Sequence, residues 1–281
     1  MTVELRKSNE FSVAELAAIF TASYQDYVIP LAVDGSQLTY MVEVFDLDLS
    51  RSLVAVERQH PIGLANLGRR GKRTWLGGIG VVPEHRGSGV GESLTRTLLD
   101  QAREAGAREM ALEVIVENAP AIALYEKLGF TRTRELEVLS LGAATEHAEA
   151  RETGLAEGLR AVAATRSGPE PWQRADETVA NLARRGSAPR AVVVDGAAAV
   201  FSQDGDRVNL LQAAGDAAGL GALIAALRSH GTVLALNFPA GEPVAAALRD
   251  AGAEVRLRQY EMVLSLQSGR YRTDTAEESS P

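Results

Sequence analysis

The feature that most restricts the fold of this chain is that its layout occurs twice. The segment Pro120-Ala-Ile-Ala-Leu-Tyr-Glu-Lys-Leu-Gly129 returns as Pro243-Val-Ala-Ala-Ala-Leu-Arg-Asp-Ala-Gly252. After small insertions, Glu137-Val-Leu-Ser-Leu141 returns as Glu261-Met-Val-Leu-Ser-Leu266. The order of predicted elements repeats with them. In the first half, patterning predicts a strand at 3–6, helices at 12–20 (with Ser12 as N-cap) and 36–44, and strands at 53–56, 62–67 and 75–82. A glycine loop follows, then a helix at 92–105, a strand at 110–116, a helix at 120–127 and a closing strand at 136–141. The second half predicts a hairpin of 191–194 and 197–202 about Asp195-Gly196, a strand at 208–212 and a helix at 220–228. It ends with a strand at 233–237, a helix at 243–249 and a strand at 255–266. Between them, 142–168 reads as an Ala-, Glu- and Gly-rich linker with a helix. The expectation is a mixed α/β (α+β) architecture of two like domains, 1–142 and 143–267, with a polar, disordered tail at 268–281.

Composition narrows the function. Two domains suit a chain of 281 residues. Aromatics make up only 5%, so the cores must be built from Ala, Val and Leu. With no cysteine, the chain has no disulfide, thiolate metal site or cysteine nucleophile. His60, His85, His147 and His230 show no ligand spacing, so no metal is expected. The net charge of −8 argues against a nucleic-acid partner. No apolar run approaches the roughly 18 residues that cross a bilayer, and residues 1–10 lack a signal core, so a cytoplasmic protein with no membrane partner is expected.

The strongest local signal is Val81-Val-Pro-Glu-His-Arg86-Gly-Ser-Gly89-Val-Gly91-Glu-Ser-Leu94. A strand enters a loop of alternating glycines and a helix leaves it. Amides of such a loop and of the first helical turn converge on one point and favour an anion there. Glycines permit positive φ and close approach, and Arg86 can add charge-assisted bonds. A Walker loop needs Lys after its last glycine, where Glu92 stands. A dinucleotide fingerprint beginning at Gly87 places its third small residue at Glu92, and antiparallel strands precede it. The basic turn at 68–73 lies roughly 25 Å along the strand from this loop and reads as a solvated hairpin tip.

Arg86-Gly-Ser-Gly89-Val-Gly91 matches the pyrophosphate loop of the GNAT acetyltransferase superfamily, Arg/Gln-x-x-Gly-x-Gly/Ala. The stretch Leu112-Glu-Val-Ile-Val-Glu-Asn118-Ala-Pro-Ala-Ile-Ala-Leu-Tyr125-Glu-Lys-Leu-Gly-Phe130 resembles the same family's second conserved region, especially in amino-terminal and ribosomal-protein acetyltransferases. The resemblance covers residues 3–141, and the second half shares the layout without the motifs. It implies two GNAT-like domains, each a mostly antiparallel splayed sheet flanked by helices. It also implies acetyl-CoA as cofactor and transfer of its acetyl group to a primary amine of a small molecule or peptide. The alternative is a non-catalytic acyl-CoA-binding sensor or interaction module. A monomer or homodimer fits either.

By the same resemblance, cofactor binding falls to Ile79, Gly80, Val81, Val82, Arg86, Gly87, Ser88, Gly89, Val90, Gly91, Glu92, Asn118 and Ala121. Ile79 and Val81 would offer main-chain groups to pantetheine. Glycines at 77, 78 and 80 in that strand mark a bulge or a close approach. Tyr125 stands where the family places its general acid, although a core ring explains it too. Glu113 stands where the ribosomal-protein enzymes place a proposed base, and a solvated strand carboxylate explains it equally. Asn118 can cap its helix as well as touch the cofactor. Tyr24, Tyr27, Tyr40 and Phe45 lie where the acceptor site is built, and core packing accounts for them as well. In the second half Asp216 replaces the loop arginine and Leu248 replaces Tyr125. A degenerate copy without its own cofactor is expected.

Overall fold

A computed structural model describes residues 3–27, 31–144, 148–186 and 188–267. The tail expected to be disordered, 268–281, lies outside the described residues. The first half runs β1 (Glu4–Lys7), α1 (Val13–Ser23), α2 (Gly35–Val44), β2 (Leu53–Glu57), β3 (His60–Arg70) and β4 (Arg73–Val81). It continues through α3 (Val90–Glu104), β5 (Glu109–Ile115), α4 (Ala119–Lys127) and β6 (Thr131–Leu141). The second half runs β7 (Arg151–Thr153), α5 (Leu155–Thr165), a 3-10 turn (Trp172–Arg174), α6 (Asp176–Arg184), β8 (Arg190–Val194) and β9 (Ala197–Asp204). Then come β10 (Arg207–Gly215), α7 (Ala217–Arg228), β11 (Thr232–Pro239), α8 (Pro243–Asp250) and β12 (Glu254–Ser265). The elements expected from patterning are present, with bounds moved by a few residues. The 3-10 turn and α6 fall where the sequence reading placed nothing.

Local chemistry sets the helix starts. Ser12 accepts from the Glu15 amide while Glu15 accepts from the Ser12 amide, a capping box that begins α1. Asp34 and Gln37 do the same for α2. No helix among the described residues is long and apolar enough to cross a membrane.

The twelve strands of the described residues form one sheet, ordered β1-β2-β3-β4-β5-β12-β6-β11-β10-β9-β8-β7. The closing strands are exchanged. β12 pairs with β5 from Gln259 opposite Ile115 to Ser265 opposite Glu109, and β6 pairs with β11. β6 and β12 pair with each other between the halves. Each exchanged strand fills the other half's core. Met262 of β12 is fully buried among Leu112, Val114 and Phe130, while Leu139 and Leu141 of β6 pack with Leu210, Val233 and Phe238. A buried side chain of this size contributes about 1.5–3 kcal/mol, so neither core is complete without the other half.

Candidate active site

The site begins where β4 and β5 part. They pair in parallel only at Arg73↔Glu109, Thr74↔Met110 and Trp75↔Ala111, and beyond Trp75 the two edges separate. On its other edge β4 stays paired with β3, and Val82 N–H donates to Ile62 O. Antiparallel alternation then turns the amides and carbonyls of Val81 and Ile79 away from β3, into the opening. The Tyr24 phenol oxygen lies against the Ile79 amide, and Arg86 Nε donates to Val81 O at 3.0 Å. The strand's glycines reflect close packing by α1: a Cβ on Gly80 would stand 2.7 Å from Ser23 Cβ, and Gly78 has φ +129°.

At the end of β4 the loop turns through Gly87 (φ +76°) and Gly89 (φ +88°), and a Cβ at either would meet none of the described residues within 4 Å. These glycines serve the backbone path rather than relieve crowding. Unlike α1 and α2, α3 has no side-chain cap, since Gly89 occupies the N-cap. Among the described residues nothing accepts from the amides of Gly87 through Glu92. Glu92 is held by Lys127 and Arg96, whose hydrogen bonds keep its carboxyl below the usual range. Arg86 also donates to the carbonyls of Ser23 and Gln25, tying the end of α1 to the loop.

Two adjoining cavities open here. One, of about 690 Å³, is lined by Ile79, Gly80, Val81, Arg86, Gly87, Gly89, Gly91, Glu92, Asn118 and Ala121, together with Asp26, His85 and Leu124. Three expected members do not line it: Val82 completes the β3 ladder, Ser88 donates to His85 O at 2.5 Å, and Val90 is buried in the core. The second, of about 290 Å³, holds Glu113 among Phe20, Met41, Phe45, Trp75 and Leu257. Tyr24 and Tyr27 line both cavities. Asn118 does two things at once. Its Oδ1 accepts from Ala121 N–H to cap α4, and its Nδ2 donates to the Tyr27 hydroxyl at 2.8 Å.

Glu113 is not a solvated strand carboxylate. Its Oε2 accepts from Trp75 Nε1 at 2.7 Å and from Gln173 Nε2 at 3.0 Å, while Oε1 is shut off from solvent without a partner among the described residues. Burial pushes its pKa up to about 7, Glu261 opposite it raises it too, and the two hydrogen bonds only partly offset this. Tyr125 is 5% exposed, edge-on to Phe130, and burial together with the Tyr24 and Tyr27 phenols pushes its pKa well above the ordinary value. Of the expected acceptor aromatics, Tyr24, Tyr27 and Phe45 reach the second cavity. Tyr40 does not: it is exposed on α2 beneath the Arg185 guanidinium of α6. Residues 28–30 of that stretch lie outside the described residues.

The sequence reading missed the second half's share in this site. Gln173, Leu257 and Gln259 line the Glu113 cavity, and Trp172 stacks on Trp75 with ring centroids 5.8 Å apart. The only available signal was that one of the chain's two tryptophans stands in an otherwise featureless stretch. Arg70, expected on a solvated tip, instead lies beneath the Trp172 ring and donates to Asp46, Trp172 O and Thr178.

The corresponding opening in the second half is closed. β10 and β11 pair in parallel from Arg207↔Thr232 to Leu210↔Ala235 and then part. Arg174 fills the parting, donating to Leu211 O at 2.9 Å on one strand and to Asn237 O at 3.1 Å on the other. Asp216 caps α7 with its own carboxylate, accepting from Gly219 N–H at 2.8 Å. An anion at that helix end would meet a negative charge already in place.

Residues 15–130 match the model of the Acetyltransferase (GNAT) family. The first half of the chain is a GNAT domain. It is 39% identical over 64 residues to an N-alpha-acetyltransferase 30 of Schizosaccharomyces pombe, covering 23% of this chain and 43% of the relative. It is 47% identical over 53 residues to a mycothiol acetyltransferase of Corynebacterium glutamicum, covering 19% of this chain and 18% of the relative. The chain thus matches less than half the length of either. In fold, a GCN5-related N-acetyltransferase from Sphaerobacter thermophilus superposes with a TM-score of 0.70 at 16% identity, covering 95% of this chain and 97% of the other. A tandem GNAT protein from the clavulanic acid biosynthesis pathway superposes with a TM-score of 0.60 at 14% identity, covering 96% of this chain and all of the other. At these identities the likeness speaks to fold: the two-part GNAT architecture extends through the whole chain.

Proposed function

We propose that this protein is an acyl-CoA-dependent N-acetyltransferase that moves the acetyl group of acetyl-CoA to a primary amine of a small molecule or peptide. The observation that carries the reading is the row of unpartnered amides at Gly87 to Glu92, at an uncapped helix end beside two parted strands. Free amides at the start of a helix favour an anion, and a diphosphate supplies acceptors for several of them. The loop and Arg86 hold the diphosphate, with Gly80, Val82, Ser88 and Val90 fixing the backbone path around it. The main chains of Ile79 and Val81 hold the pantetheine arm, with Asn118 and Ala121 along its other side. When bound, acetyl-CoA supplies a thioester, an acyl group activated toward amines.

The remaining work falls to the chain's own groups. The Ile79 amide, which now faces the Tyr24 oxygen, can donate to a carbonyl oxygen instead. Glu113 in its ionised form takes a proton from the incoming amine, directly or through water. The Tyr125 phenol, more weakly acidic than a free tyrosine, stays protonated at every working pH. It acts by donating a hydrogen bond to the leaving sulfur, since complete transfer to a thiolate of pKa near 8.5 is uphill. The second half is a degenerate copy that walls the acceptor cavity and binds no second cofactor.

Thiol release from acetyl-CoA across a panel of amines tests this reading. Tyr125→Phe is expected to lower kcat about 10–100-fold with the acetyl-CoA Kd unchanged by calorimetry, and equal turnover would remove Tyr125 from the mechanism. Arg86→Glu is expected to weaken acetyl-CoA binding above all, because it puts a negative charge beside the diphosphate and unties the loop from α1. Binding without thiol release for any amine would favour an acyl-CoA sensor instead.

A further inference from the structure

Glu113 and Gln173 line the smaller cavity as one hydrogen-bonded pair, Gln173 Nε2 to Glu113 Oε2 at 3.0 Å. The second carboxylate oxygen of Glu113, Oε1, and the amide oxygen of Gln173, Oε1, are both out of solvent with no donor among the described residues. Buried acceptors are normally satisfied, so two on one pair, at the wall of a cavity, ask for a ligand that brings donors. An alkylammonium carries three N–H donors and no acceptor, whereas a hydroxyl brings only one donor. The carboxylate supplies the matching charge.

The rest of the wall defines what hangs from that nitrogen. Phe20, Met41, Phe45, Trp75 and Leu257 make it apolar, and Glu113 is the only charged side chain among the described lining residues. A second ammonium would find no counter-charge there. The volume of about 290 Å³ holds about ten water-sized groups. The other charges near Glu113 are already matched to each other: Glu261, opposite it on β12, accepts from Arg134 of β6 at 2.7 Å.

We propose that the acceptor is a primary amine on one compact apolar group, its nitrogen seated between Glu113 and Gln173. Gln173, contributed by the second half, is then a positioning residue that orients the carboxylate and selects the acceptor. This inference rests on the transferase reading. The apolar wall also favours the neutral form of the bound amine, easing proton transfer to Glu113.

n-Hexylamine and 1,6-diaminohexane differ by the second ammonium alone and make the test. With the full chain and saturating acetyl-CoA, kcat/KM for the monoamine is expected to exceed that for the diamine at least about 10-fold. Gln173→Leu is expected to raise the n-hexylamine KM about 10-fold and leave the acetyl-CoA Kd unchanged. It should also move the rising limb of the pH–rate profile to higher pH, because ionised Glu113 loses a donor. A merely structural role would not move that limb. Gln173→Met, close in length and volume, serves if the leucine variant fails to fold. A diamine or peptide preferred over the monoamine, with Gln173→Leu silent on KM and profile, overturns the proposal while acetyl transfer itself stands. No thiol release with any amine removes the transferase reading. In that case n-hexylamine binding by calorimetry that Gln173→Leu abolishes would still support the amine site, and no such binding overturns it as well.

Discussion

Glu113→Gln is expected to lower kcat about 10²–10³-fold while making the protein more resistant to heat at pH 8. Both effects follow from one carboxyl. In the fold its pKa is raised from 4.5 to about 7, because burial between β4, β5 and the 3-10 turn disfavours the charge. Its proton is therefore held more tightly in the folded chain than in the unfolded one. The stability this contributes is complete below pH 4.5 and is lost as pH rises through about 7, a decline of about 3 kcal/mol by pH 8. Glutamine has no proton to lose and escapes the decline. The two proteins should melt alike near pH 4.5 and diverge above it, the variant melting higher. Activity moves the other way. Only the ionised carboxylate accepts a proton, so kcat/KM of the parent should rise through an apparent pKa near 7, and the variant should lack that limb. Melting curves at both pH values, with a pH–rate profile, check the pair. A variant that keeps the limb would place the base elsewhere.

How much of this was legible in the sequence depends on the range over which each signal acts. The phosphate loop was legible because its chemistry is local: Gly87 and Gly89 need positive φ, and the strand before and the helix after them carry their own periodicities. Ser12 as a cap was legible for the same reason. The strand exchange was not. β6 and β12 end in nearly the same letters, and alternation says that each is a strand without saying which half's edge it enters. Tyr40 was placed with the acceptor aromatics because it is near them in sequence, yet one helical face carries it outward to Arg185. Arg70 reads as a hairpin-tip arginine until Trp172 arrives from a hundred residues away to cover it. The 3-10 turn has no periodicity to detect, and its three side chains act in three different places: Trp172 on Trp75, Gln173 on Glu113 and Arg174 inside the second half.

That turn makes Arg174→Ala the substitution expected to do most damage to the fold. The guanidinium is 2% exposed, bonded to carbonyls of both parted strands, stacked on Phe238 and 2.9 Å from the buried Glu170 carboxylate. Burial pulls its pKa down to about 10, which still leaves it charged at neutral pH, while burial raises that of Glu170. Removing the cation strands a buried carboxylate and two carbonyls, a loss of about 3–5 kcal/mol, or a Tm lower by on the order of 10 °C. Exchanging both partners, Arg174→Met with Glu170→Leu, should recover most of that loss, because an apolar pair leaves no uncompensated charge. Thermal melts of the single and double variants decide it, and a single variant melting with the parent would mean that the plug is ornamental. The functional consequence separates the two cavities. Arg174 anchors the turn that presents Gln173 and Trp172, so in Arg174→Ala protein still folded at low temperature the amine KM should rise while the acetyl-CoA Kd, set by Gly87 to Glu92, holds. The arginine that closes the second half's opening would then also be what holds the acceptor site of the first in shape.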